Sequence, residues 1–314
     1  MRKDSKRRRR GGEIPVSGGS GLATGPLNEE TLPIFILTHG RPDQVLTDSR
    51  LPEYGWSGPV YLVIDNEDPT GDQYRERFGR ERVITFDKLA ASRTFDAADN
   101  FPGRKTIVYA RNASYAVARY LGYRYFVQFD DDYSGFYITI NEEGQFKRSP
   151  CRSLDEVLAY YLDFFKSLPP TVKSIAMAQG GDFLGGSASA TAKDLKLRRK
   201  AMNSFICDVE RPLTFVGKIN EDVNTYVYKQ SKGEILLTAP LCQLNQGQTQ
   251  ARSGGMTDAY MEAGTYIKSF YSILFSPSCM SITDMGTSHR RLHHSIAWNN
   301  AVPRIVSPDL KKAS

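Results

Sequence analysis

Long apolar segments are missing from this sequence of 314 residues. No run of about 18 or more apolar residues occurs, so the pattern does not predict a transmembrane helix. The N-terminus is basic and has no apolar stretch behind it, which argues against a secretory signal peptide. The pattern G-x-G-x-x-G is also absent, so the sequence gives no support for a dinucleotide cofactor.

Cysteine is scarce. The sequence has four cysteines, at positions 151, 207, 242 and 279, and none belongs to a C-x-x-C pair. Such wide spacing favours neither a zinc site nor a disulfide framework. We therefore expect reduced thiols that serve mainly as packing groups in a cytoplasmic protein.

Excess charge is confined to one end of the chain. Residues 1–10 contain seven Lys or Arg and one Asp, which accounts for the whole formal charge of +6. A basic run of this kind is typical of a disordered arm that binds a polyanion, with salt-sensitive affinity for nucleic acid. The alternative is a tail that only aids solubility. Residues 11–26 are rich in Gly, Ser and Pro and predict a flexible linker, so we expect the folded part to begin near residue 31.

Apolar segments that end in polar residues recur along the first third of the chain. They predict three strands at Leu32–Thr38, Val60–Ile64 and Arg82–Phe86. Unbroken apolar runs suit a sheet that is covered on both faces. Strands with short helical links indicate a Rossmann-like half of an α/β fold.

Three consecutive carboxylates follow the most apolar part of the sequence. Helical spacing from Tyr109 ends at Gly122, and the strand Tyr125–Phe129 then leads into Asp130, Asp131 and Asp132. In open α/β sheets, ligands bind at the carboxyl ends of such strands. Adjacent negative charges repel each other and therefore favour a cation, and hard oxygen ligands favour Mg²⁺ or Mn²⁺ over zinc. The alternative is a solvated acidic turn.

A second acidic pair lies about ninety positions later. Glu221 and Asp222 stand at the start of a helix that is predicted to end before Gly233. Carboxylates are stabilised at a helix N-terminus, so ordinary capping is one explanation. From these residues alone, capping is the better explanation.

The remaining segments predict simpler elements. We expect a short helix from Pro42 to about Leu51, a loop over residues 90–104 and a capped helix over Ser153–Leu168. Further along the chain, we expect three more strands and a helix, at Leu213–Val216, Glu234–Thr238, Leu241–Asn245 and Asp258–Phe275.

The central motif resembles a known family. Arg111-Asn112 on a helix, then Gly, an apolar strand and Asp-x-Asp, is similar to the centre of a GT-A fold glycosyltransferase. The resemblance implies a single α/β domain over residues 31–306, with a mixed, mostly parallel sheet flanked by helices. It divides this domain into a nucleotide-sugar half (31–135) and an acceptor half (136–306), followed by a tail (307–314).

The resemblance also implies roles for individual residues. Asp130 and Asp132 would hold Mn²⁺ or Mg²⁺ against the diphosphate of the donor, and His293 or His294 would complete the metal shell. Asp222 would be the catalytic base of an inverting reaction, with Glu221 as its alternative. Contacts to the nucleotide-sugar would come from Thr38, Arg41, Asp65, Arg111 and Asp131. For the two histidines, pairing with surface acids and contact with phosphate remain alternatives.

A narrower resemblance rests on three strings, FDDDY, INEDVN and RRLHHSIAWNNAVPRI. Together they are similar to the TET/JBP-associated glycosyltransferases of phage. This implies sugar transfer, from a donor of the UDP-glucose type, to a 5-hydroxymethylpyrimidine in DNA, in the cytoplasm of an infected host cell. The basic arm fits a DNA partner, and no membrane partner is expected. Two rivals remain: a glycosyltransferase for polysaccharide or protein, and an inactive GT-A scaffold that binds DNA.

Overall fold

Four apolar strands form one half of the central sheet. A computed structural model of the protein describes residues 25–100, 102–142, 145–179, 182, 200–246, 266–285 and 291–302. Within these residues, the first four strands run parallel in the order β3-β2-β1-β4. They are β1 (Ile34–Leu37), β2 (Val60–Asp65), β3 (Val83–Phe86) and β4 (Tyr125–Asp130). All four residues of β1 are buried, as expected for a strand covered on both faces.

The second half continues the same sheet beyond β4. Its strands are β5 (Tyr133–Glu142), β6 (Gln145–Pro150), β7 (Val172–Gln179), β8 (Phe205–Asp208) and β9 (Ile235–Gln246). The full order is β3-β2-β1-β4-β8-β7-β9-β5-β6, and only β8 and β5 oppose the common direction. The predicted fold class, a mixed and mostly parallel sheet, is thereby confirmed. The expected boundary at residue 135 falls inside β5 and stays a prediction.

Helices cover both faces of the sheet. They are α1 (Leu46–Arg50), α2 (Gly71–Phe78), α3 (Lys88–Ser92), α4 (Val108–Leu121), α5 (Leu154–Ser167) and α6 (Glu221–Ser231). Leu158 and Phe165 of α5 join a core cluster on one face, whereas Val117 of α4 and Val227 of α6 join the cluster on the other. Gly122 ends α4 in a left-handed conformation, with φ of 84°, as its position in the sequence predicts.

The C-terminal part adds a helix and a hairpin. They are α7 (Tyr266–Phe275), β10 (Met280–Met285), β11 (Arg291–Ile296) and the one-turn α8 (Trp298–Ala301). Strands β10 and β11 form a separate antiparallel sheet, which the sequence analysis did not predict. Among the described residues, no helix is long and apolar enough to cross a membrane. The basic arm, residues 258–265 of the predicted helix and the tail lie outside the described residues.

Several predicted elements were wrong in detail. The helix expected from Pro42 is split into a 3-10 turn at Pro42–Gln44, then α1, then a second 3-10 turn at Leu51–Tyr54. The loop expected over residues 90–104 contains the end of α3, because the Asp87 carboxylate accepts a hydrogen bond from the Ala90 N–H and caps that helix. Ser153 precedes α5 as predicted but makes no capping hydrogen bond with its side chain.

Side chains and a bulge explain two further corrections. Leu213–Val216 is not a strand, because Asn112 satisfies both backbone groups of Phe215: its Nδ2 donates to the carbonyl oxygen (3.0 Å) and its Oδ1 accepts from the N–H (2.8 Å). The two strands expected around Pro240 are one strand, β9. Its register against β7 shifts between Ala239 and Gln243, so that a bulge accommodates the proline.

Candidate active site

The strand order changes direction at β1. The chain adds β2 and β3 on one side of β1 and β4 on the other, so the carboxyl ends of β1 and β4 flank a topological switch point. Ligands bind at this position in open α/β sheets. Thr38 follows β1, and Asp131 follows β4. The structure thus brings two predicted site segments to one edge of the sheet.

An ion pair ties the two segments together. Arg41 donates from Nε and Nη2 to the two carboxylate oxygens of Asp131, at 2.8 and 2.6 Å. The hydroxyl of Thr38 donates to the same carboxylate at 2.6 Å. Asp131 is fully buried. The three residues therefore form one rigid unit, in which Asp131 orients Arg41, and their contact with a donor stays a prediction.

Thr47 holds the acidic loop, Asp130–Asp132, in place through hydrogen bonds. No pattern in the sequence identifies it as a site residue. Its hydroxyl donates to the Asp130 carbonyl oxygen at 2.6 Å and accepts from the Tyr133 N–H at 2.9 Å. Its own N–H donates to the Asp131 carbonyl oxygen at 3.1 Å. Helix α1 thus fixes the backbone of the three aspartates.

Arg111 joins the two acidic clusters. From helix α4, its Nη2 donates to Asp130 Oδ1 at 2.9 Å and its Nε donates to Glu221 Oε1 at 3.0 Å. The guanidinium lies over the rings of Phe205 and Phe215, at 5.2 and 5.7 Å from their centroids. With 1% of its side chain exposed, this cation is buried between carboxylates that are far apart in sequence. The acid that ends β4 and the acid that opens α6 therefore belong to one site.

One guanidinium does not neutralise all of these acids. Burial raises the pKa of Asp130 to about 7; Arg111 opposes this shift, while Asp132 and Glu221 add to it. Burial also raises the pKa of Glu221, and the neighbouring Asp222 raises it further. A surplus of buried negative charge favours the binding of a cation, because carboxylates in a low dielectric require a partner.

Asp132 has a carboxylate oxygen available for that cation. Its Oδ2 accepts a hydrogen bond from Gln246 Nε2 at 3.3 Å, while its Oδ1 is buried without a partner among the described residues. Burial raises the pKa of this group, and Asp131 raises it further. Within the described ranges, no three His, Cys, Asp or Glu side chains are grouped to hold a metal. Mg²⁺ commonly takes only one or two carboxylates together with phosphates, so Asp132 fits this role.

Glu221 and Asp222 occupy the first turn of α6, as predicted. The preceding Asn220 has φ of 61° and is held by a hydrogen bond from its Nδ2 to Ser272 Oγ at 2.7 Å. Asp222 Oδ1 accepts from the Val223 N–H at 2.7 Å. Glu221 is paired with Arg111, so Asp222 is the acid of this turn that is not held by an arginine among the described contacts. Their catalytic roles stay predictions.

The predicted histidines lie on β11 beside cationic groups. His294 is 4% exposed, and neither ring nitrogen has a hydrogen-bond partner among the described residues. Burial lowers its pKa to about 3, and Lys200, His293 and Lys268 lower it further. The ring is therefore neutral, which is the form that binds a metal, although the charged groups acting on it are cations. Metal binding by either histidine stays a prediction.

The raised pKa of Asp130 predicts how stability depends on pH. The folded protein keeps a proton on this group up to about pH 7, whereas the unfolded chain releases it near pH 4. The contribution of Asp130 to stability is therefore fully present below about pH 4 and is lost as pH rises through the folded pKa. The free energy of unfolding of metal-free protein, measured with urea, should fall between about pH 5 and about pH 7 by up to about 1.4 kcal/mol per pH unit. This decrease should be absent in Asp130→Asn. Parallel pH curves for the two proteins would contradict this assignment.

The chain matches one family by sequence and has low similarity to solved structures. The sequence model of the TET-Associated Glycosyltransferase family matches residues 32–255. No curated protein matches the chain. Among solved structures, glucosyl-3-phosphoglycerate synthase from Mycobacterium tuberculosis with Mn²⁺ and UDP has 11% identity and a TM-score of 0.41, covering 85% of this chain and 87% of that one. A mycobacterial protein of 13% identity has the same TM-score and covers 85% and 84%.

Proposed function

Because this chain belongs to the TET-associated glycosyltransferase family, we propose that it transfers a sugar to 5-hydroxymethylpyrimidine bases in DNA. The donor is a nucleotide-sugar of the UDP-glucose type, and the acceptor is the hydroxyl of the modified base. Membership of the family makes the chain a glycosyltransferase, whereas the donor, the acceptor and the roles of individual residues are our inference.

The proposal rests mainly on the two ion pairs that Arg111 makes. It fixes Asp130, at the end of β4, and Glu221, at the start of α6, against one buried guanidinium. A glycosyl transfer needs one group that stabilises the departing nucleotide and another that activates the acceptor. Arg111 holds the elements that carry both groups at a fixed separation, which favours productive alignment of the two substrates.

On the donor side, the site has one carboxylate oxygen without a hydrogen-bond partner among the described residues, Oδ1 of Asp132, and two arginines. Asp132 and Asp130 would hold Mn²⁺ or Mg²⁺, which neutralises the charge that grows on the leaving diphosphate. Arg41, held by Asp131, is 24% exposed and is oriented toward the same edge of the sheet as the acidic loop. Nη1 of Arg111 is buried without a partner among the described residues, and a donor phosphate would satisfy it.

On the acceptor side, Asp222 would take the proton of the attacking hydroxyl. The base must lie on the face of the sugar opposite to the leaving group for the anomeric configuration to invert. Asp222 follows Glu221 directly, so the contact of Glu221 with Arg111 fixes the turn on which Asp222 stands. The hydroxyl oxygen forms the new bond to the anomeric carbon as the bond to the nucleoside diphosphate breaks.

The DNA acceptor is supported by the family and by the basic arm. Residues 1–10 carry the net charge of the chain and would add affinity for the phosphate backbone that falls as salt rises. A base within a duplex is out of reach of a site at a sheet edge. The modified base must therefore be flipped out or lie in a single strand.

One assay tests the proposal. Full-length protein is incubated with Mn²⁺, a panel of nucleotide-sugars and oligonucleotides that carry 5-hydroxymethylcytosine, 5-hydroxymethyluracil or the unmodified bases. Nucleosides are then analysed by mass spectrometry. We expect a hexose mass added only to hydroxymethylated bases, with a UDP-sugar as donor. Transfer to polysaccharide or protein but not to DNA would contradict the acceptor, and DNA binding without any transfer would indicate an inactive scaffold.

A further inference from the structure

Arg148 forms a stacked pair with Tyr137 at one border of the main sheet. Arg148 lies on β6, which is the last strand in the order of that sheet, and Tyr137 lies on the adjacent strand β5. The guanidinium carbon is 3.7 Å from the centroid of the Tyr137 ring. Arg148 is exposed and Tyr137 is half-buried, so the pair is accessible from solvent.

Neighbouring side chains hold this pair in place. Arg148 Nη2 donates to Asn245 Oδ1 at 2.8 Å, and the same oxygen accepts from Gln243 Nε2 at 3.1 Å. The ring of Tyr54 packs edge-on against Tyr137, with the two centroids 6.2 Å apart. Because these contacts already restrict the guanidinium, a flat ligand that stacks on it would cost little additional conformational entropy.

No ion pair neutralises Arg148 among the residues that the structure describes. Glu53, whose charge acts on the neighbouring Tyr54, is held by Arg50 Nη1 at 2.7 Å. A guanidinium that lies on an aromatic ring and has no acidic partner suits two parts of a nucleic acid. Its plane stacks with bases, and its N–H groups donate to phosphates.

The last two residues of β9 connect the pair with the acidic loop. Asn245 accepts the hydrogen bond from Arg148, and the next residue, Gln246, donates to Asp132 Oδ2 at 3.3 Å. Tyr137 belongs to β5, the strand that begins directly after Asp132. The pair therefore lies beside the site without being part of it, where a nucleotide that neighbours the reacting one would pass.

We propose that Arg148 and Tyr137 form a stacking platform for a base of the DNA acceptor that neighbours the modified base. This inference rests on the proposed function and names the surface that holds the strand while the modified base occupies the site. The neighbouring base stacks on the guanidinium of Arg148. Every base has a flat π face, so the platform binds a single or locally opened strand without reading its sequence.

The test compares Arg148→Leu with Lys147→Leu. Lys147 is the preceding residue of β6 and is also exposed, but successive side chains of a strand point to opposite faces. Both variants remove one positive charge from the same strand, so a purely electrostatic effect would be similar in the two. Arg148→Lys keeps the charge and lacks the plane. Urea unfolding checks that each variant is folded.

Two short single-stranded oligonucleotides serve as probes. One carries a central 5-hydroxymethylcytosine among ordinary bases, and in the other every base except the central one is replaced by an abasic residue. Fluorescence anisotropy of the full chain measures affinity for each strand. Single-turnover transfer with UDP-glucose and Mn²⁺ measures activity on the same strands.

We expect Arg148→Leu and Arg148→Lys to bind the first strand about tenfold more weakly than wild type, and Lys147→Leu to differ from wild type by about twofold or less. On the abasic strand, the Arg148 variants should bind like wild type, because no neighbouring base remains to stack. Wild-type affinity of Arg148→Leu for the first strand, or an equal loss on both strands, would overturn the platform even if sugar is transferred. If no sugar is transferred but the difference in binding remains, the proposed function fails and the platform stands.

Discussion

Asp222→Asn is expected to lower the rate of sugar transfer by about 10²- to 10⁴-fold while the protein still binds its nucleotide. The substitution keeps the size of the side chain and its contact with the Val223 N–H, but removes the ability to take a proton. The acceptor hydroxyl would then attack without a base. The rate would be measured by single-turnover transfer to hydroxymethylated DNA, and nucleotide affinity by calorimetry.

Glu221→Gln is the matched control for that experiment. It changes the adjacent acid in the same turn of α6 and weakens the contact with Arg111 instead of removing the base. We expect a smaller loss of rate accompanied by a loss of stability. If Glu221→Gln abolished transfer and Asp222→Asn left it intact, the assignment of the base would pass to Glu221. If both variants kept full activity, the catalytic site would lie elsewhere.

Arg111→Met is expected to cost about 3–5 kcal/mol in the free energy of unfolding. Removal of the guanidinium leaves the buried carboxylates of Asp130 and Glu221 without their common partner, and the stacking over Phe205 and Phe215 is lost. Breaking one side of a buried ion pair is far more costly than breaking a pair at the surface. Urea unfolding near neutral pH, with metal removed, measures the difference.

Arg119→Met provides the control on the same helix. Arg119 pairs with Glu210 at 3.3 Å and donates from Nη2 to the Val209 carbonyl oxygen at 2.6 Å. Because its side chain is 39% exposed, we expect a loss of only about 1 kcal/mol. Arg111→Lys should fall between the two, since an ammonium keeps the charge but lacks the planar fork that reaches both acids. Adding Glu221→Gln to Arg111→Met should recover part of the loss, as expected for residues in contact. Equal costs for the two arginines would contradict the role of Arg111 as a buried bridge.

Local patterns were enough to predict most of the framework. The apolar runs of β1, β2 and β4, the end of α4 at Gly122 and the start of α6 at Glu221 were predicted from periodicity and capping residues. These features depend on neighbours within a few positions, which a sequence displays directly. The strand predicted at Leu213–Val216 was wrong because a side chain that is distant in sequence forms the hydrogen bonds that a neighbouring strand would have formed. Asn112, about one hundred residues earlier in the chain, occupies the backbone groups that would have made Phe215 part of a strand.

The chemical character of the site was only partly visible in the sequence. The acids after β4 and at the start of α6 were identified as candidates, and their order along the chain matched a glycosyltransferase. Nothing in the sequence indicated that Thr47 would clamp the acidic loop or that Gln246 would hold one oxygen of Asp132. A lone threonine and a strand-end glutamine have no distinguishing pattern, and their partners lie 83 and 114 positions away.

The sequence by itself determined the family, the α/β class and the two acidic clusters, because each of these is a property of short, contiguous motifs. Only the tertiary structure decided which charges meet. Arg111 became a buried bridge, Asp131 the support of Arg41, and Asp65 the partner of His39, because burial excludes water and obliges each charge to find a partner. The packing of strands and helices that are distant in sequence determines which partner each charge meets, and a local sequence pattern does not predict this packing.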